Sequence, residues 1–170
     1  SLATQGQPFR VVGNLPYNIS TPLIFKLLEN APLIEDMHFM LQLEVVERLS
    51  ASPGSKAWGR LGIMAQYLCK VEHLFDVPPE AFHPRPKVQS AIVRLQPRDA
   101  SAFPDCDEQR LRHVVQAAFA QRRKTLRNNL KGVVTLDQLE SLEIDPGARA
   151  ETLELEHFIA IANLTDATHA

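Results

Sequence analysis

Asn14-Leu15-Pro16-Tyr17 puts an amide, two constrained backbone carbonyls and an aromatic face within one turn of chain. An exocyclic amine on an aromatic ring, such as that of a nucleobase, is a poor nucleophile because its lone pair is delocalised. A site assists by accepting both N–H hydrogens as the nitrogen becomes tetrahedral, and such acceptors act where charge develops. The Asn14 side-chain oxygen and the Leu15 and Pro16 carbonyls can fill that role. The residue before a proline is held extended, and the proline ring fixes the direction of the next carbonyl. Tyr17 offers a face on which an extruded base stacks. The plainer alternative is an ordinary strand-to-helix turn, which Asn and Pro also favour. An apolar run before the tetrapeptide and a helix after it place it at the strand end where open α/β sheets bind ligands.

Two further constellations stand out. Phe82-His83-Pro84-Arg85-Pro86-Lys87-Val88-Gln89-Ser90 has two prolines that stiffen a loop and can hold Phe82 as a platform. The alternative there is a rigid strand connection with Phe82 in the core. Phe119–Lys131 is expected to form an amphipathic helix, with Arg123 and Arg127 at i,i+4 and Lys124, Asn128 and Lys131 on the same exposed side. Phe119, Leu126 and Leu130 lie opposite. Arg122 belongs to the same run, and Arg110 and Arg112 extend the surface. A solvated charged face is the usual explanation of such a run. Here Gln109–Val134 holds seven Lys or Arg and no acid, whereas Asp137–Glu156 holds seven acids and one Arg. A local basic stripe on a chain of net charge −2 suits a specific RNA or DNA contact better than bulk electrostatic adhesion.

Other chemistries find little support. Cys69 and Cys106 are far apart and form neither a disulfide framework nor a zinc motif, and the six histidines lack ligand spacing, so no metal is expected. No apolar run approaches the roughly 18 residues of a membrane span and no signal peptide is visible, so a cytoplasmic location is expected. The chain opens on Ser1 rather than Met, and is read as a piece of a longer protein.

Several elements must position these residues. Phe9–Gly13 reads as a short buried strand. Ser20 or Thr21 is expected to cap a helix with Pro22 at its first position and Leu23, Ile24, Leu27 and Leu28 on one face. Glu35–Leu43 reads as a strand running into a helix with Val45, Val46 and Leu49, stopped by Ser52-Pro53-Gly54. Trp58, after a Gly-Ser-Lys turn, is expected at the surface. Arg60–Lys70 reads as a helix, and Val71–Val77 and Ser90–Leu95 as strands joined by a connection too short for a helix. A parallel sheet ending in an antiparallel pair follows. Residues 98–108 read as a linker, and 109–170 as a small all-helical domain after the α/β domain of residues 1–97.

These segments resemble the KsgA (RsmA)/Dim-type rRNA adenine N6-dimethyltransferases. The resemblance is carried by G-N-L-P-Y-N-I-S-T-P at 13–22, H-F-M-L-Q at 38–42, E-V-V-x-R-L at 44–49 and G-R-L at 59–61. It continues with V-P-P-x-A-F-x-P-x-P-K-V-x-S-A-x-V-R-L at 77–95 and F-x-Q-R-R-K-T-x-R-N at 119–128. The resemblance implies the second half of a Rossmann-like class I methyltransferase sheet, S-adenosylmethionine as methyl donor, and two adjacent adenines near the 3′ end of small-subunit rRNA as substrate. It implies that Asn14 contacts donor and target amine, that the Leu15 and Pro16 carbonyls complete the acceptor set, and that Tyr17 and Phe82 sandwich the adenine. Arg122, Arg123, Lys124 and Arg127 would touch rRNA, with Lys131, Arg110 and Arg112 beside them on charge alone. Leu43 stands where the family often has Lys. Nothing in the 170 residues matches the family's glycine-rich G-x-G loop or its two acidic donor-binding residues. The chain alone is therefore expected to be inactive. Its first strand should be left with an exposed apolar edge, leading to self-association or to distortion over residues 1–20. A non-catalytic RNA-binding or ribosome-assembly module is the second reading. A DNA adenine methyltransferase ranks below both because of the F-x-Q-R-R-K segment.

Overall fold

The computed structural model describes residues 6–168, with side chains through 165. The chain divides into two compact units, Ser1–Ser50 with Ala65–Asp99, and Ala51–Met64 with Ala100–Ala170. The second unit thus takes residues 51–64 out of what the sequence suggests is one continuous first domain. It also takes residues 100–108 of the 98–108 stretch expected to be a linker. There the Asn163 side chain donates to the Asp105 carbonyl at 3.1 Å, and Asp107 caps the following helix by accepting the Arg110 N–H.

The first unit is a four-stranded sheet with short helices. Its elements are β1 (Phe9–Asn14), α1 (Tyr17–Leu28), β2 (Ile34–Gln42), α2 (Leu43–Leu49), the end of α3 (Arg60–Leu68), β3 (Cys69–Val77) and β4 (Ser90–Pro97). Strand order is β1-β2-β4-β3, with β1 parallel to β2 and the other pairings antiparallel. Alternation sorts the side chains. Met37, Phe39 and Leu41 pair with Leu95, Val93 and Ala91, and all six are buried, sharing a core with Ile24, Val46 and Leu49. The other face carries His38, Met40 and Gln42 opposite Arg94, Ile92 and Ser90.

Several expectations for this unit need correction. Phe9–Asn14 is not a buried strand but alternates half-buried and exposed, with Val12 72% exposed. It is nonetheless regular from Arg10 onward, pairing through Asn14 opposite Met40. The distortion expected over residues 1–20 is thus confined to a register shift between Phe9 and Arg10 within β1, and residues 1–5 lie outside the described residues. Helix α1 begins at Tyr17 after Pro16, so Pro22 lies inside it rather than at its first position. Ser20 does not cap the helix; its hydroxyl donates back to the Tyr17 carbonyl at 3.2 Å, within the first turn.

The second unit contains the start of α3, α4 (Glu108–Ala118), α5 (Leu126–Asn129), α6 (Leu136–Ser141) and α7 (Leu155–Thr168). Leu111, Val114, Val115 and Ala118 of α4 are buried with Leu126, Leu130, Leu139, Phe158, Ile159 and Ile161. A capping box between Thr135 and Gln138 opens α6.

The continuous helix expected over Phe119–Lys131 does not form. Helix α4 ends at Ala118, and residues 121–125 are turns leading to the single turn of α5. Non-local hydrogen bonds account for the break. The Asn129 amide donates to the carbonyls of Ala118 and Gln121, each at 2.9 Å, while the N–H groups of Leu126 and Arg127 go to the Ala148 and Pro146 carbonyls. Trp58, expected at the surface, is 1% exposed, and its indole N–H donates to the Leu153 carbonyl at 2.8 Å.

Candidate functional site

The first unit places its candidate site residues at one end of the sheet's strands. The N–H of Leu15 donates to the Met40 carbonyl at 3.2 Å, carrying the parallel ladder one residue past β1 and fixing the plane of the Asn14–Leu15 peptide. Pro16 follows with φ −60° and ψ 145°, turning the chain into α1. Its carbonyl accepts the Ile19 N–H at 3.2 Å. Asn14 is exposed on the same strand face as Arg10 and Val12, and Tyr17, first in α1, is 66% exposed. A large aromatic side chain left in solvent at a helix start buys little for folding and fits a platform for a flat ligand.

Strand register brings the Phe82 loop to that same end of the strands, although β1 and β3 are opposite edges of the sheet. Asn14 is level with Met40 and Ile92, and two residues further on Gln42 pairs with Ser90, which pairs with Val77. The tetrapeptide and the 78–89 connection therefore both leave the sheet where β1 and β2 end. The N–H of Phe82 donates to the Pro79 carbonyl at 3.2 Å, and Phe82 itself is half-buried. Arg85 pairs with Glu80 within the loop, and the His83–Pro84 peptide is cis. The Leu43 N–H donates to the Gln89 carbonyl at 2.8 Å, tying the loop's end to the start of α2.

A charge cluster around one buried carboxylate, spanning the sheet, is not apparent from the sequence alone. Asp36 is fully buried, and its carboxylate accepts from Arg10 at 2.7 and 3.1 Å and from Arg94 at 3.1 and 3.0 Å. Arg94 also reaches Glu72 at 3.2 Å, so the cluster links all four strands. The Arg10 hydrogen bond is the largest influence holding the Asp36 carboxyl below the usual range. The Arg94 bonds and the nearby positive charge add to it, outweighing burial, which pushes the other way. The buried Nδ1 of His38 lies 3.6 Å from Asp36 and lacks a hydrogen-bond partner among the described residues. The available signal was opposite charge on strands that pair, with acids and bases 26 and 58 residues apart.

In the second unit the basic residues have different surroundings. Arg123, Lys124, Arg127 and Lys131 are exposed. Arg127 and Lys131 line a cleft of about 440 Å³ with Asn128 and Leu136. Arg110 lines another of about 390 Å³ with His113 and Gly132, and Arg112 pairs with Glu108 at 3.0 Å. Arg122 is committed to the fold: its Nε meets Glu151 at 3.2 Å, and its Nη2 donates to the carbonyls of Lys56 and Trp58. No cluster among the described residues could hold a metal ion, and no described helix is long and apolar enough to cross a membrane.

The first unit is an α/β fold with a mixed sheet and exposed acceptor and aromatic groups where its parallel strands end, and the chain is similar to methyltransferases of the rRNA adenine dimethylase type. Solved structures agree: a dimethyladenosine transferase from Plasmodium falciparum is similar with TM-score 0.81 at 28% identity, covering 93% of this chain and 68% of that one. The 23S rRNA methyltransferase ErmE gives TM-score 0.71 at 27% identity over 94% of this chain and 66% of its own. The chain belongs to the ribosomal RNA adenine dimethylase family, whose model matches residues 2–167. It is 61% identical over 163 residues to the ribosomal RNA small subunit methyltransferase A of Pseudomonas aeruginosa, covering 96% of this chain and 61% of that protein. The Saccharophagus degradans protein of the same name is 60% identical over 162 residues, 95% of this chain and 60% of its own. The chain thus spans about three fifths of the length of these bacterial relatives.

Proposed function

We propose that this chain carries the target-adenine side of the site, and an RNA-holding unit, of an S-adenosylmethionine-dependent rRNA adenine N6-dimethyltransferase acting on the small ribosomal subunit in the cytoplasm. The observation that carries the reading is that Asn14-Leu15-Pro16-Tyr17 and the Phe82 loop leave the sheet at the same end of its strands, as the register of β1-β2-β4-β3 places them. Two adjacent adenines near the 3′ end of the rRNA are the proposed substrate.

Each residue then has a task. Tyr17 and Phe82 stack on the extruded base. The Asn14 oxygen and the Leu15 and Pro16 carbonyls accept the two amine hydrogens, restoring lone-pair density to the nitrogen without a strong base. Positioning supplies most of the remaining assistance. S-adenosylmethionine, when bound, supplies an electrophilic methyl group. Asn14, exposed at the end of β1, fits a contact to it. The chain contains no G-x-G loop to cradle the rest of the donor, which supports a donor site that needs more than these residues. Arg123, Lys124, Arg127 and Lys131, with Arg110 and Arg112, hold the RNA backbone. The same absence of a donor loop favours the second reading, a unit that holds RNA without catalysis. Self-association through β1, with Val12 exposed, remains part of the proposal for the chain in isolation.

A small-subunit rRNA hairpin with 2-aminopurine at the target adenines tests the reading. Stacking should quench its fluorescence when the chain binds, and Tyr17→Ala should remove the quench while RNA affinity persists. Quenching by the Tyr17→Ala and Phe82→Ala chains as strong as that of the unsubstituted chain refutes the stacking assignment. Calorimetry with S-adenosylmethionine should show no micromolar binding to the chain alone; such binding would refute the claim that its donor site is incomplete.

A further inference from the structure

We propose that Lys56 is part of the RNA-holding surface, and that Arg122 is the positioning residue that sets it there rather than an RNA contact. The inference rests on the reading of the second unit as RNA-binding. It begins from an excursion of chain, residues 51–64, that folds with residues 100–170.

That excursion is pinned at three points. The N–H of Gly54, at φ +87°, donates to the Glu151 carbonyl at 2.7 Å. The Trp58 indole N–H reaches the Leu153 carbonyl at 2.8 Å. Between them the Arg122 guanidinium donates to the carbonyls of Lys56 and Trp58 and pairs with Glu151. Ser55 closes the turn from within, its hydroxyl donating to the Ser52 carbonyl at 2.7 Å. The backbone of Lys56 is thereby held against the residue that precedes Arg123 and Lys124 in the chain.

Charge supports the assignment. Lys26 pairs with Glu29 and Lys70 with Glu72, whereas Lys56 is exposed and has no acidic partner among the described residues. Arg122 pairs with Glu151, while Lys56 and the two residues that follow Arg122 in the chain, Arg123 and Lys124, are exposed. A flexible exposed lysine gains little from water alone. One carried on a loop fixed by several backbone hydrogen bonds is preorganised for an anion, because less freedom is lost when it binds. Arg122 suits its own role because a planar fork can serve two carbonyls and a carboxylate at once, which an ammonium cannot match in geometry.

The test is a salt titration of RNA affinity, using the full chain and a labelled small-subunit rRNA hairpin. Each lost phosphate contact flattens the plot of log affinity against log salt by about one unit. Lys56→Ala should flatten it by that amount with an unchanged unfolding temperature. Arg122→Lys, which keeps the charge but loses the fork, should flatten it equally, and adding Lys56→Ala should then change nothing further. A direct contact by Arg122 predicts instead that Arg122→Lys preserves the slope, which would overturn its positioning role. An unchanged slope for Lys56→Ala, beside a flattened one for Arg123→Ala, overturns this inference and leaves the RNA reading intact. If Arg123→Ala also leaves the slope unchanged, the RNA reading itself falls.

Discussion

Replacing Asp36 by Asn tests whether the buried cluster stabilises the sheet. The carboxylate accepts four N–H bonds, three of them on Oδ2. An Asn oxygen at that place keeps three, but its NH₂ then confronts the Arg10 Nε, donor against donor. Removing one partner of a fully buried pair costs about 3–5 kcal/mol. Here the Arg10 and Arg94 side chains are 55% and 27% exposed, so the orphaned guanidinium groups partly rehydrate. Discounting for that solvation leaves about 2 kcal/mol, or a fall of roughly 4–8 °C in unfolding temperature for a chain of this size. The pH dependence has a definite sign. Because the folded-state carboxyl sits below its usual range, its contribution is fully present above the unfolded value of about 3.9 and is lost as pH falls towards the folded one. Urea unfolding followed by circular dichroism should therefore show the largest deficit for Asp36→Asn near neutrality, narrowing below about pH 4. A deficit under about 0.5 kcal/mol at neutral pH, within the range of ordinary surface substitutions, or one of constant size down to acid, refutes the reasoning.

Two further outcomes are expected. Trp58→Phe leaves the Leu153 carbonyl without its buried donor and should destabilise by about 1–3 kcal/mol, read from urea unfolding, with the chain's sole tryptophan emission abolished. Burial pushes the Cys69 thiol up to about 12, and Cys106, half-buried, is raised less far. A thiol reagent near pH 8 should therefore label Cys106 in the native chain and reach Cys69 only after unfolding; equal labelling rates would contradict the burial of Cys69.

The parts legible in sequence were those decided locally. Alternation in Ile34–Gln42 and Ser90–Pro97 marks strands because one face is apolar, and the short 78–89 connection forces an antiparallel return. The N-L-P-Y turn is readable because proline chemistry is local. Other features depended on distant partners. The helical period of Leu126 and Leu130 with Arg123 and Arg127 is real, yet the Asn129 amide and the 146–148 carbonyls outbid the helix between Phe119 and Thr125. Trp58 looks like a loop residue until Leu153 arrives from 95 positions away. Asp36 reads as an acid in a strand, and only the register discloses the two arginines that make its burial tolerable.

The excursion of residues 51–64 also bears on how the protein is made. The chain must pass from one unit to the other at 50/51, at 64/65 and again at 99/100. During synthesis Trp58 emerges with neither the Leu153 carbonyl nor the α4 and α7 core yet translated. At about 5–20 residues per second, the 95-residue gap leaves that indole waiting roughly 5–20 s. The sheet of the first unit is complete once β4 has emerged, so it can fold while the Trp58 segment is still held out as an unsatisfied strap. Cutting the gene near residue 100 would therefore not deliver two independent pieces. The downstream fragment would lack its tryptophan and the carbonyls that Arg122 grips, and the upstream one would trail an apolar loop with nothing to bury it.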